Sequence, residues 1–182
     1  MKYFKNLVAI FAIISVLVGC SGGDDIIQGS LDGLTNNLTD GMDNKYTTLS
    51  PIEITIPDNG VVTLMLHVSK SKTIKKLTVA TYAKHPKISD LNIYLLSPSG
   101  TSVTLMEAQG GDNKLKGVIG FRDDALKSVD EFREDVIVYK PKEPLESFKG
   151  ENSSGEWKLF IEDTKSGNSG TTTGFSLWFD FD

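Results

Sequence analysis

The chain has 182 residues, with 19 basic against 24 acidic side chains, two histidines and one cysteine. One cysteine excludes an internal disulfide, and with two histidines it makes a poor ligand set for zinc. With no disulfide possible, a core or a metal must hold the fold together, and an acidic chain with scattered lysines has no basic stripe for nucleic acid.

The first residues form a leader. Lys2 and Lys5 precede an apolar run, Leu7 to Val18, which is too short for a spanning helix and ends at Leu17-Val18-Gly19-Cys20. That ending resembles the lipobox of bacterial lipoproteins. The resemblance implies that residues 1–19 are a signal peptide and that Cys20 carries an N-terminal lipid; a plain secretory leader with a stray thiol is the alternative. Without residues 1–19 the balance is 17 basic to 24 acidic, or −7. No other long apolar segment exists, so the lipid would be the membrane anchor. Residues 20–46 are rich in Gly, Asp, Asn, Ser and Thr and are expected to be a flexible tether. Ser21-Gly22-Gly23-Asp24-Asp25 is similar to signals that follow the cysteine in surface-exposed lipoproteins. The expected location is the bacterial cell envelope: lipid-anchored at the outer membrane, or displayed on the cell surface.

From Thr47 onward the apolar period is two. Ile52, Ile54 and Ile56 alternate with polar residues before the turn Pro57-Asp58-Asn59-Gly60. Val62, Leu64 and Leu66 follow, then Leu77, Val79 and Thr81. Leu91, Ile93 and Leu95 lead into Ser97-Pro98-Ser99-Gly100, where proline fixes one φ and glycine frees another, and Val103 and Leu105 answer them. Asp123 to Phe132 alone allows a helical turn or two, with Ala125, Leu126, Val129 and Phe132 on one face. Trp157, Leu159 and Ile161 share a face, as do Phe175, Leu177, Phe179 and Phe181. This predicts an all-β domain over residues 47–182: an antiparallel jelly-roll β-sandwich of about eight strands. The same alternation points Tyr94, Phe160 and Trp178 away from the core as surface-contact candidates, unless loops cover them.

Taken in order, "DLNIYL" at Asp90, "SPSGT" at Ser97, "FRDDA" at Phe121, "PLESFKG" at Pro144, "GEWKL" at Gly155, Asp163 and "GFSLW" at Gly174 resemble one family. It is the P domain (P/Homo B domain) that follows the catalytic domain of subtilisin-like proprotein convertases and secreted bacterial proteases. The likeness runs from about Ile54 to Phe181 and implies the same jelly-roll sandwich. It also implies calcium at loop aspartates, here Asp90, Asp123, Asp124 and Asp163. The competing reading has each of them accepting backbone N–H bonds in its own turn, or Asp90 pairing with Arg122 or a lysine.

Neither His67 nor His85 stands in a protease motif, so no activity is expected. The expected function is a non-catalytic, membrane-tethered module that binds or stabilises a partner protein, a protease among the candidates. The alternative is a jelly-roll module that holds glycans or another ligand on an exposed aromatic face.

Overall fold

In the computed structural model of the protein, residues 44–182 are described. The expected leader, Cys20 and most of the expected tether lie outside the described residues. Nine strands form two sheets. One sheet runs β1–β9–β3–β6–β7, from Asn44–Ile56, Gly170–Phe181, Ile74–His85, Leu115–Phe121 and Val138–Tyr139. The other runs β2–β8–β4–β5, from Val61–Val68, Gly155–Asp163, Leu91–Leu96 and Ser102–Glu107. Pairing is antiparallel except for the two-residue parallel contact of β6 with β7. β1 begins at Asn44, three residues before the expected domain start.

The sandwich forms because alternate residues of both sheets turn inward. Leu64 and Leu66 of β2, Leu91, Ile93 and Leu95 of β4, and Trp157, Leu159 and Ile161 of β8 supply one wall. Leu77 and Val79 of β3 and Phe175, Leu177 and Phe179 of β9 supply the other. The aromatic centre is Trp157, fully buried, with Phe148 5.2 Å and Phe179 5.6 Å away edge-on. Its indole N–H donates to the Ser153 carbonyl at 2.9 Å, so its one polar atom is satisfied in the dry interior. The described residues thus close a core among themselves, the condition for folding as a unit.

Of the helical turn or two that Asp123–Phe132 allows, no α-helical turn forms. Lys140 N–H donates to Lys127 O and Val129 N–H to Lys140 O, a short parallel bridge that takes the backbone groups a helix would need. Only a single 3-10 turn, Val129–Glu131, remains, capped by the Ser128 hydroxyl. Ala125, Val129 and Phe132 are buried as expected, but Leu126 is 99% exposed.

Two irregularities shape the first sheet. At the edge, β1 loses register with β9 between Leu49 and Ile54, where Pro51 and the 74%-exposed Ile52 swing outward. In central β9 the register also shifts beside Gly174, against both neighbours. Threonine hydroxyls repair the ladder there: Thr81 donates to Gly174 O at 2.7 Å and Thr172 to Tyr82 O at 2.9 Å. Gly174 sits at φ 139°, and a Cβ at that position would lie 1.8 Å from the Thr48 carbonyl oxygen. Gly174→Ala is therefore expected to cost about 3 kcal/mol or more in urea unfolding. Gly111→Ala, at φ 58° in open space, should cost only about 1 kcal/mol.

Candidate functional site

The Leu91–Asp163 pairing of β4 with β8 brings Asp90, one residue earlier, to the end of β8. Thr164 donates its N–H (2.8 Å) and its hydroxyl (2.9 Å) to the Asp90 carbonyl. Asn168 Nδ2 donates to Asp90 Oδ2 at 3.1 Å. Asp163 accepts the Lys165 N–H at 3.0 Å on one oxygen and faces His85 Nε2 at 3.1 Å with the other. All three side chains, Asp90, Asp163 and His85, are buried. His85 ends β3 in one sheet and Asp163 ends β8 in the other, so their contact joins the two sheets.

His85 Nδ1 lies 2.8 Å from the Lys87 carbonyl, which can only accept, and 3.3 Å from the Lys87 N–H. With the Lys87 backbone on Nδ1 and Asp163 on Nε2, both ring nitrogens are engaged within the fold. His67 is exposed on β2, opposite Glu156 of β8.

Asp123 and Asp124 lie far away. Asp124 meets Lys76 near the start of β3, nine residues from His85 at its end, a separation of about 30 Å along a strand. Asp123 caps the 3-10 turn Leu145–Phe148, its two oxygens accepting the N–H groups of Leu145 and Glu146, both at 2.8 Å. Asp124 pairs with Lys76 (2.6 Å) and Arg122.

The four aspartates therefore do not make one donor set. Calcium asks for six to eight oxygens, while both oxygens of Asp123, Asp124 and Asp163 already accept protein hydrogens. Among the described residues no group of three or more His, Cys, Asp or Glu side chains could hold a metal ion. The calcium set implied by the resemblance does not fit these residues. Asp90 does not reach Arg122 either; it closes the connection from β8 to β9.

The aromatic expectations divide. Trp178 does lie on the outer side of its sheet, but it is buried among Ala80, Val118 and Val138 with the Lys45 ammonium 5.4 Å from its ring. It cannot be a surface contact. Tyr94 and Phe160 are cross-strand neighbours on the outer face of the second sheet, half-buried, with ring centres 4.7 Å apart and planes 11° from parallel. Val61 (49% exposed) and Met65 (57% exposed) of β2 and half-buried Leu96 of β4 lie on the same outer face, with Lys158 of β8 between Met65 and Leu96. A polar rim holds the Lys158–Glu156 ion pair and the Asn92–Glu162 hydrogen bond. Met65 and Val61 were legible only as the outward positions between Val62, Leu64 and Leu66.

A further feature was not foreseen. An open cleft of about 560 Å³ lies beside His85, lined by Lys84, Lys114, Lys116, Leu115 and Gly170 among others. Lys84 pairs with Glu53 at 2.6 Å and Lys116 with Glu134, so its cations are largely answered from within. The cleft stayed hidden because β6, with Gly117 and Gly120 breaking its pattern, shows no alternation.

Ion pairing holds several surface carboxyls below their usual range: Asp124 through Lys76, Glu53 through Lys84, Asp112 through Lys87, Glu134 through Lys116 and Asp135 through Arg133.

A sequence profile described as "Proprotein convertase P-domain" matches residues 74–179. Among solved structures, the serine protease of Aeromonas sobria is similar at 18% identity and TM-score 0.47, over 75% of this chain and 26% of that one. The complex of that protease with the chaperone ORF2 gives 18% identity and TM-score 0.47, over 82% of this chain and 29% of that one. This chain thus spans less than a third of the protease's length. A comparison with curated proteins finds no match.

Two measurements follow from these contacts. Thermal unfolding of residues 44–182 should be the same with calcium and with chelator, and Asp163→Ala, which strands His85, should cost about 3 kcal/mol in either condition; a calcium-dependent rise of several degrees would show a calcium site and overturn this reading. A group with a lowered folded pKa adds stability above its unfolded pKa and loses it as pH falls through the folded value. The melting temperature should therefore drop below about pH 4, and added salt should flatten the change, because these pairs are exposed.

Proposed function

Since the chain belongs to the proprotein convertase P-domain family, we propose that it acts as a non-catalytic, membrane-tethered module that binds or stabilises a partner protein at the bacterial cell envelope, with a separately encoded protease among the candidates. The observation that carries the protein-partner reading is the Tyr94–Phe160 patch. An apolar centre with a polar rim is the anatomy of a protein contact. A sugar platform needs an aromatic face turned to solvent, whereas these two rings spend a face on each other. That weighs against the alternative of a glycan-binding jelly roll. The tether is supported by Leu17-Val18-Gly19-Cys20, which would place a diacylglyceryl group on Cys20.

A photo-crosslinking residue in place of Met65, in the full chain in cells, should trap one defined protein. The double change Tyr94→Ala and Phe160→Ala should abolish that adduct while leaving the fold intact by circular dichroism. Binding of the purified domain to a glycan array, lost in the same double variant, would favour the alternative. Cys20→Ser should move the chain from the membrane fraction to the soluble fraction; retention in the membrane would overturn the tether.

A further inference from the structure

From Asn59 to Ser89 the chain has six lysines and no acidic residue. Four of them, Lys70, Lys72, Lys75 and Lys76, lie in the β2–β3 connection and at the start of β3. The fold sets this connection against the first described residue, where Lys70 Nζ donates to Asn44 Oδ1 at 2.6 Å. Lys75 and Lys76 are answered by Asp180 (3.3 Å) and Asp124 (2.6 Å). Lys45, Lys70 and Lys72 are exposed, and among the described residues none of them pairs with a carboxylate: Lys45 and Lys70 stand over the rings of Trp178 and Phe181.

Leu126 belongs to the same end, since Asp124, two residues before it, holds Lys76. It is 99% exposed on a loop fixed at both sides. Before it, Ala125 is buried and donates to Arg122 O at 3.1 Å; after it, Lys127 O accepts from Lys140 at 2.7 Å. A leucine held fully in water by a braced loop gains nothing for the fold.

We propose that this end of the sandwich lies against an anionic phospholipid surface. Lys45, Lys70 and Lys72 meet the headgroup phosphates, and Leu126 enters the boundary of headgroups and acyl chains. The lysines project from a loop and strand ends instead of lining a cleft, and ammonium point charges on flexible stems suit a field of phosphates better than one shaped protein. The chain enters the sandwich at Asn44, on the end proposed to meet the lipid, and a lipid on Cys20 would raise the local concentration of that surface. In that respect the inference rests on the tethered reading. Three lysines and a leucine give a modest affinity that concentrated anionic vesicles can read out, and a tether would add to it by making the contact intramolecular.

The test is sedimentation of residues 44–182, which carry no lipid, with vesicles of phosphatidylcholine alone or mixed with phosphatidylglycerol. Binding should require phosphatidylglycerol and be lost in high salt. Lys70→Glu with Lys72→Glu should weaken it by about ten-fold or more, and Leu126→Asp several-fold. An unchanged melting temperature, with Lys70→Gln and Lys72→Gln as a milder pair, separates lost charge from lost fold. No sedimentation with phosphatidylglycerol vesicles, equal sedimentation with both vesicle types, or a charge-reversed domain that binds like the parent would each overturn the proposal. The fragment lacks Cys20, so its result is independent of whether a Cys20→Ser chain leaves the membrane fraction.

Discussion

The contact on which the architecture turns is the buried pair of His85 and Asp163. Two sheets that meet only through apolar side chains can slide, since hydrophobic burial has no direction. A polar pair in the dry interior must be made in one geometry or be left costly and unsatisfied. Here it ties the last residue of β3 to the last residue of β8, one from each sheet. With Asp163 placed, its neighbour Thr164 can hold the Asp90 carbonyl and Asn168 the Asp90 carboxylate, so the loop into β9 is set before β9 begins. The opening acid of the "DLNIYL" segment is thus a piece of joinery. The opposite end is held differently, by Trp157 packed against Phe148 and Phe179 and by the Asp123 cap on Leu145–Phe148.

β9 carries the consequence of that placement. It is paired along most of its length on both sides, with β1 and β3, and it departs from regular register next to Gly174. A break in a central ladder would strand carbonyls away from water. Buried Thr81 and Thr172 supply the missing donors, and glycine lets β1 come close enough to pair again beyond the break. Thr81 and Thr172 are thus polar residues in the interior where backbone geometry needed a side-chain repair.

The sequence shows what repeats and hides what does not. Alternation in Val62–Leu66, Leu91–Leu95, Trp157–Ile161 and Phe175–Phe179 assigned those core faces correctly, because a half-buried strand has no other pattern available. β6 and β7 were not legible: Gly117 and Gly120 interrupt one, and two residues are too few for a period in the other. Periodicity placed Trp178 on the outer side of its sheet, but it could not show that Val118, Val138 and Lys45 close over it. Spacing along the chain also said nothing about the distance between Asp90 and Asp123, which β3 sets at opposite ends. The helical reading of the segment around Leu126 missed that Lys140, thirteen residues beyond Lys127, takes the local backbone groups.

The outward swing of β1 at Pro51 has a meaning for the molecule in company. An edge strand offers a row of unpaired amides to any other edge, and molecules confined to a surface meet far more often than molecules free in solution. Pro51 removes one amide from that row, and the lost register from Leu49 to Ile54 bends the rest out of line. A second copy laid alongside would find no continuous ladder to extend. A proline ring and a bend thus make this edge a poor template for a further strand.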